Sequence, residues 1–308
     1  MTEILFNTTE VAKMLQVDKS TVKRWTDENK IKCFRTPGGH RKFRAEDLYQ
    51  FMVDYNYGVS TISLYSQLTS DEAVVKKIIM KKEYHVLNSV CFSSAIKGKK
   101  DDLVKLFTEC YRAGMSLAML FDEILKPTLK RINDSFAAKK ISLSEIKLSS
   151  NAISSAIILL KDIVVRPTHN NKTIVCMSIE NETNEIELRA LEILLESDGY
   201  EVLNLGVGVP AELVNQMIEK NRPYAVCVYS SLLKNEIETL HELQNISTVA
   251  LTHNVKVIVV GCELPAETGI ENCDAFSSYK NFSLKQHGQQ LVDQHNNIEI
   301  EKNNLKTN

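Results

Sequence analysis

The spacing of apolar residues changes once along this chain, near residue 170. Between residues 71 and 165 glycine is rare, and apolar side chains such as Leu120, Ile124 and Leu125 recur every three or four positions. That spacing places them on one face of a helix. The stretch therefore predicts a helical bundle, interpreted as four helices, over residues 71–165.

Short apolar runs and amphipathic segments alternate after residue 172. The runs are apolar on both faces, as buried strands are, and lie at Thr173–Met177, Glu201–Leu205, Tyr224–Tyr229 and Lys256–Val260. Helical patterns occur near Glu185–Ser197, Ala211–Glu219 and Leu233–Leu243. This alternation predicts a doubly wound, flavodoxin-like parallel sheet over residues 172–294, with any ligand outside the carboxyl ends of its strands. The polar, aperiodic residues 295–308 predict a disordered tail.

Charge is distributed unevenly, although the net charge of the 308 residues is only −2. Residues 19–44 contain nine lysines and arginines against two acidic residues, a local charge of +7, so the other 282 residues carry −9. A short basic segment on an acidic chain is the electrostatic pattern of a module that binds phosphates. The order of residues within residues 1–58 has to show whether that module is built for DNA.

The sequence predicts two helix N-termini, one before the basic segment and one at its beginning. Asn7 can cap a first helix, and Glu10 three positions later can complete a capping box. Asp18 can cap a second helix from Lys19 to about Asn29, with Trp25 directed inward. Two short helices joined by a tight turn predict a helix-turn-helix.

Polar and basic residues occupy the outer positions of the second helix and of the segment that follows it. On the helix, the positions suited to the major groove hold Lys19, Ser20, Thr21, Lys23 and Arg24. Beyond it, the turn residues 37–39 separate two short β-prone segments and predict a hairpin wing. The wing residues predicted to meet the phosphates or the minor groove are Arg35, His40, Arg41 and Lys42.

The first 55 residues or so resemble the winged helix-turn-helix of MerR-type and excisionase-like regulators. The resemblance rests on Thr9-Glu10-Val11-Ala12, on residues 20–25 and on residues 36–43, in that order. It implies sequence-specific binding to double-stranded DNA.

The rest of the chain resembles the cobalamin-binding module of methionine-synthase type. The α/β part carries the resemblance at residues 199–202, at residues 205–210, at Ser230 and at Val260-Gly261. With a MerR-like winged helix-turn-helix in front of the bundle and the α/β part, the complete chain resembles the CarA/CarH group of regulators. The resemblance implies a multidomain α and α/β fold: winged helix-turn-helix, four-helix bundle, then doubly wound sheet.

The metal-ligand motif of that family is altered in this sequence. The family has a D/E-x-H-x-x-G motif, which falls on residues 182–187 of this sequence. The acid is kept as Glu182, but Asn184 replaces the histidine and Glu187 replaces the glycine. A carboxamide is a poor donor to a transition metal, and Glu187 places a negative charge where a phosphate-bearing tail would pass. Asn184 and Glu187 are instead predicted to start a helix as a capping box.

Two further family patterns are altered as well. In the family's bundle a tryptophan is followed, after nine residues, by Glu-His; these positions are Phe136, Ile146 and Lys147 here. The family's pair of glycines falls on Gly261 and Cys262. From these substitutions we expect a module that does not need cobalamin, and hence neither a cofactor nor a metal.

These features predict a transcriptional regulator, a repressor, that binds a double-stranded DNA operator as a homo-oligomer. Its C-terminal module would serve oligomerisation or respond to an antagonist protein or an unknown ligand. The alternative is a cobalamin-dependent light-sensing regulator that binds the cofactor without a protein histidine. No catalytic Ser/His/Asp set or metal cluster is evident, so an enzyme is not expected. The longest uncharged apolar stretches fall short of the roughly 20 residues that a bilayer requires, which predicts a cytoplasmic protein that does not enter a membrane.

Overall fold

The computed structural model divides into two compact units, residues 1–163 and 164–308, which are considered separately. The structure describes residues 5–15, 17–44, 47–48, 51, 55, 72–168, 170–179, 185–231, 236–264 and 270–283. The predicted disordered tail and the predicted domain limits at residues 58, 71 and 294 lie outside these ranges.

The N-terminal unit opens with two helices and three short strands. In chain order these are β1 (Leu5–Asn7), α1 (Thr8–Met14), α2 (Lys19–Asp27), β2 (Phe34–Arg35) and β3 (Arg41–Arg44). Val22 and Phe43 are fully buried, and α1 packs against α2, β1 and β3. The predicted wing is confirmed as the antiparallel pair β2 and β3. Strand β1, which pairs with the other side of β3, was not predicted because three residues carry no readable period.

Both predicted helix caps are present. The side-chain oxygen of Asn7 accepts from the backbone N–H groups of Thr9 and Glu10, at 2.9 and 3.0 Å, and the Glu10 carboxylate accepts from the N–H of Asn7 at 2.6 Å. The Asp18 carboxylate accepts from the N–H of Ser20 at 2.7 Å. These bonds satisfy N–H groups that have no partner inside their own helix, and they fix where α1 and α2 begin.

A helical bundle makes up the rest of the N-terminal unit. Its segments are α3 (Glu72–Met80), α4 (Tyr84–Ile96), α5 (Lys100–Arg112), α6 (Leu117–Leu120), a π-helical turn (Phe121–Leu125), α7 (Lys126–Ala137) and α8 (Leu143–Lys161). Segment α8 packs against α4 and α5, while α4 packs against α7, so the predicted bundle is confirmed.

The π-helical turn has an identifiable cause. Pro127 lacks an N–H and cannot donate to the carbonyl of Glu123, four residues earlier. The side-chain amide of Asn88, in α4, donates to that carbonyl at 3.0 Å, and the Asn88 side-chain oxygen accepts from the Thr128 hydroxyl at 2.9 Å. Asn88 therefore satisfies the backbone where the regular helix pattern is interrupted and ties α4 to α7.

Among the described helices, α8 alone is long and apolar enough to cross a membrane, with a mean hydropathy of 1.2. Its small and apolar residues Ala152, Ile153 and Ala156 are buried against the other helices of the bundle. Packing within the unit accounts for part of the apolar character of α8, while Leu143, Leu148 and Ile158 are exposed.

The C-terminal unit alternates strands and helices. They are β4 (Thr173–Ile179), α9 (Glu185–Ser197), β5 (Glu201–Val209), α10 (Ala211–Asn221), β6 (Ala225–Tyr229), α11 (Glu236–Thr252), β7 (Lys256–Val260) and β8 (Cys273–Phe276). All strands are parallel, in the order β5-β4-β6-β7-β8. This is the flavodoxin-like order, and the predicted fold class is confirmed.

Three features of this unit differ from the sequence prediction. Strand β8 was missed because its four residues include Asp274 and form no apolar run. Strand β5 extends past Leu205 to Val209. Helix α11 extends past Leu243 to Thr252, because Ile246 and Ala250 continue its buried face. The predicted start of α11 at Leu233 lies outside the described residues.

Candidate DNA-binding surface and cofactor site

Most of the predicted base-reading residues of α2 are exposed, while Val22 is buried. Lys19, Ser20, Lys23 and Arg24 are exposed, and Thr21 is half-buried. The Arg24 guanidinium lies 4.0 Å from the carboxylate of Glu28, one turn later, and stays largely accessible. The outer face of α2 therefore offers the cationic and hydroxyl donors that a major-groove helix uses.

The wing places its four predicted residues unequally. Arg35 and His40 are exposed and Lys42 is half-buried. Arg41, which is predicted to meet the phosphates or the minor groove, has a side chain only 16% exposed, and a guanidinium nitrogen lies 2.5 Å from a carboxylate oxygen of Asp27. The structure thus gives Arg41 a partner inside the protein.

The tip of the wing is a tight turn. The N–H of Gly39 donates to the carbonyl of Thr36 at 2.8 Å, and the N–H of Thr36 donates to the carbonyl of His40 at 3.0 Å. Gly39 has φ +78°, in the left-handed region that favours glycine. The turn holds the exposed His40 at the far end of the hairpin.

Sequence reasoning missed Asp27, which it counted only as a charge. One signal was available: an acidic residue at the C-terminus of a helix meets the negative end of the helix dipole. An acid in such an unfavourable place suggests a cationic partner elsewhere in the fold.

Small residues meet at the carboxyl ends of three adjacent strands in the C-terminal unit. Ser178 of β4 is paired with Tyr229 of β6, and Tyr229 with Val260 of β7, which brings Ser230 and Gly261 to the same edge. Ser178 is fully buried, and its hydroxyl oxygen has no hydrogen-bond partner among the described residues. A buried hydroxyl at the ligand edge of a doubly wound sheet is free to bond a ligand.

Glycines leave part of this edge open. Gly206 and Gly208, at the end of β5, have φ of +88° and +69°, and a Cβ on either would meet nothing within 4 Å. Gly261 is different, since its φ is +114° and a Cβ would lie 2.6 Å from the carbonyl oxygen of Ser230. Gly206 and Gly208 therefore leave open space beside β5. Gly261 is required because the backbone of Ser230 lies too close for a side chain.

The structure describes several of the altered family positions. Glu187 and Cys262 are both buried, and the backbone carbonyl of Glu187 accepts from the hydroxyl of Tyr279 at 2.8 Å. The positions Glu182 and Asn184 lie outside the described residues. In the N-terminal unit Phe136 and Lys147 are exposed and Ile146 is half-buried.

The donor set at this edge suits an organic ligand better than a bare metal ion. Across the described ranges, no group of three or more His, Cys, Asp or Glu side chains is arranged to hold a metal. The described part of the carboxyl edge contains no histidine. Serine hydroxyls and glycine backbone fit the polar tail of a cofactor such as cobalamin, and they leave coordination of its cobalt to another group.

Two stretches of the chain match known domain families. Residues 5–52 match a helix-turn-helix domain, and residues 91–161 match a B12 binding domain. The chain therefore combines a DNA-binding type of domain with a cobalamin-binding type of domain.

Several corrinoid proteins are similar to this chain. The methanol corrinoid protein of Methanosarcina barkeri is 23% identical over 217 residues, which are 70% of this chain and 78% of that protein. Monomethylamine corrinoid protein 2 of Methanosarcina acetivorans is 30% identical over 133 residues, and this chain spans 61% of its length. The solved monomethylamine corrinoid protein of Methanosarcina barkeri is similar in fold, with a TM-score of 0.52, 18% identity and coverage of 64% of this chain and 94% of that one.

The prediction that this chain needs no cobalamin is wrong. The B12 binding domain at residues 91–161 and the sequence similarity to corrinoid proteins overturn it. The prediction judged each altered position by residue type alone. Glu187 and Cys262 are both buried, and Cys262 packs into the hydrophobic core of the unit.

Proposed function

We propose that this chain is a sequence-specific regulator of transcription that binds double-stranded DNA and responds to cobalamin. One observation carries the proposal: a helix-turn-helix domain at residues 5–52 and a B12 binding domain at residues 91–161 occur in one chain. A cofactor module needs no DNA-binding head to carry a corrinoid, and a DNA-binding head needs no cofactor module to find its site. Their combination is best explained by control of one by the other.

The DNA-binding residues in this proposal are the exposed donors of α2 and of the wing. Lys19, Ser20, Thr21, Lys23 and Arg24 would read bases and neighbouring phosphates in the major groove, while Arg35, His40 and Lys42 would contact the backbone beside it. One helix and one wing contact few base pairs, so high selectivity calls for binding as an oligomer to repeated half-sites. Occupation of a promoter by such an assembly blocks other proteins, which makes repression the simplest output.

The cofactor residues in this proposal line the carboxyl edge of the sheet. Ser178 and Ser230 supply buried hydroxyls, and Gly206 and Gly208 leave room beside β5. When bound, cobalamin would supply a cobalt centre with an exchangeable ligand. The chain contributes the shape of the edge, the hydroxyl donors and the exclusion of water by the buried strands.

We further propose that the cobalt is not coordinated by a histidine of the D/E-x-H-x-x-G position, since Asn184 stands there. The cofactor would keep its own base. Uniformly 15N-labelled protein loaded with unlabelled cob(II)alamin tests this by electron paramagnetic resonance. We expect each cobalt line to split into three, from a 14N ligand of the cofactor. Splitting into two would show a 15N ligand from the protein and would contradict the proposal.

The regulatory function is tested by selecting genomic fragments bound to the full chain, with and without cobalamin and with and without light. The proposal predicts enrichment of a repeated sequence whose occupancy depends on the cofactor. Recovery of random fragments under all conditions would contradict it. A corrinoid carrier is the second candidate, because the similar proteins are corrinoid proteins. That candidate predicts cobalamin binding with no preferred DNA sequence.

A further inference from the structure

We propose that Asp27 is a positioning residue for DNA binding, which ties the recognition helix α2 to the wing. The inference rests on the proposed DNA-binding function and names a residue that does not itself contact DNA. One carboxylate oxygen of Asp27 lies 2.5 Å from a guanidinium nitrogen of Arg41 and 3.9 Å from one of Arg35. Asp27 ends α2, and both arginines belong to the wing.

The two arginines lie on opposite strands of the hairpin. Arg35 of β2 and Arg41 of β3 are directly paired in the antiparallel register. A single carboxylate therefore reaches both strands of the wing at the same level. The sheet that carries the wing has three strands of only two to four residues, and β2 is bonded to it through β3 alone, so a contact to a helix has a large effect on the orientation of the wing.

Asp27 is unfavourably placed in every respect except this contact. It lies at the negative end of the α2 dipole, within a segment of charge +7, beside a surface that must attract phosphates. Glu28 is next to it but contacts α2 and the following loop, with Lys30 at 2.7 Å and Arg24 at 4.0 Å. Two adjacent acids thus differ in one respect: Asp27 reaches the wing.

Arg41 depends on this partner. Its side chain is mostly buried, and its Nε is buried without a hydrogen bond among the described residues. Removing the carboxylate would leave a largely buried cation without compensation, which is costly and would drive the arginine outward. The strand that carries Arg41 also positions His40 and Lys42, so the loss would alter the wing as a whole.

The test of this proposal is the direction in which a substitution of Asp27 changes DNA affinity. Asp27→Asn removes a negative charge from a DNA-binding surface, which by charge alone would tighten binding. The proposal predicts the opposite, a loss of at least about fivefold in affinity for both operator and random DNA, because the wing is no longer held in place before binding. Glu28→Gln makes the same change of charge one residue away and should leave affinity unchanged or raise it. Fluorescence anisotropy of the full chain at several salt concentrations measures both variants.

A second readout separates positioning from a general loss of stability. Amide hydrogen exchange should become faster across residues 34–44 in Asp27→Asn, while residues 100–112 of the bundle should keep their protection. Asp27→Glu should restore part of the affinity and of the protection. Binding by Asp27→Asn as tight as or tighter than that of the original protein would overturn the proposal.

The outcomes also separate this inference from the function on which it rests. If the original protein bound no double-stranded DNA at all, the proposed function and the role of Asp27 in it would both be overturned. If the original protein bound DNA and Asp27→Asn left affinity and wing exchange unchanged, only the positioning role would be wrong.

Discussion

A Cβ atom on Gly261 would lie 2.6 Å from the carbonyl oxygen of Ser230. That separation is shorter than any ordinary contact between carbon and oxygen. The ring of Tyr229 would also lie 2.8 Å from the same atom. The carboxyl ends of β6 and β7 therefore approach so closely that the edge proposed to hold the cofactor keeps its shape only with glycine at this position.

Gly261→Ala should destabilise the C-terminal unit by about 3 kcal/mol or more, from a strained φ together with a clash against backbone. Gly206→Ala is the matched control, since its φ is also positive but its added carbon meets nothing within 4 Å. It should cost only about 1–2 kcal/mol. Urea unfolding of each variant provides the measurement. Equal losses in the two variants would show that the approach of Ser230 does not matter.

Ser178→Ala should separate stability from cofactor binding. The Ser178 hydroxyl is buried without a partner among the described residues, so its removal should leave the free protein as stable or slightly more stable. If that hydroxyl bonds cobalamin, affinity for the cofactor should fall about fivefold, the value of one hydrogen bond. Thermal unfolding and absorption titration measure the two effects. A destabilised free protein, or an unchanged cobalamin affinity, would contradict this role.

The start of α8 should contribute stability that depends on pH. The Glu145 carboxylate accepts from the N–H of Ser142 at 2.7 Å, and this bond together with the Ser142 hydroxyl holds the pKa of Glu145 below its usual 4.5. A pKa lowered by folding stabilises the fold above the unfolded value, and the benefit is lost as pH falls through the folded value. Replacing Glu145 by Gln should therefore destabilise at pH 7, and this effect should disappear as pH falls through the lowered pKa of the folded state.

Ser142→Ala tests the same cap at neutral pH and should cost about 1 kcal/mol. Ser155→Ala is the control within α8, because its hydroxyl donates only to the carbonyl of Asn151 in the preceding turn. It should be neutral or slightly stabilising. Urea unfolding followed by circular dichroism compares them. A Ser155→Ala loss equal to that of Ser142→Ala would rule out the capping role.

Thiol reactivity should report the packing of both units. Burial raises the pKa of Cys91, Cys110 and Cys227 to about 12, so about one thiol in 10,000 is ionised at pH 8. Cys33 in the helix-turn-helix is half-buried and should react first with a disulfide reagent. Cys33→Ser should remove the fast phase, and urea should make the remaining thiols react. Cys273 is the other half-buried thiol, so fast labelling of the double variant Cys33→Ser, Cys273→Ser in native buffer would contradict the buried positions.

Local features could be predicted from this sequence because they depend on neighbouring residues. Asn7, Asp18 and the turn at residues 36–40 act within four positions of the groups they bond, and the period of the apolar residues reports which face of a helix or strand is buried. These signals were enough for the helix-turn-helix, the bundle and the doubly wound sheet.

Contacts between distant residues could not be predicted in the same way. The ion pair of Asp27 with Arg41 forms only once the wing folds back on α2. The burial of Glu187 and Cys262 depends on the packing of the C-terminal unit, and an argument from residue type alone gave the wrong answer on cobalamin. Family motifs report which residues are usual at a site, and the packing reports whether an unusual one obstructs it.

The central claim is that cobalamin binding and DNA binding are coupled in this chain. The most direct test is the dissociation constant of the full chain for its selected operator, measured by anisotropy without cobalamin and with saturating adenosylcobalamin or methylcobalamin. We predict a change of about tenfold or more with at least one cofactor form, and an equal change in cobalamin affinity when operator is present, since coupling is reciprocal. An operator affinity that stays the same while absorption shows the cofactor bound would contradict the claim.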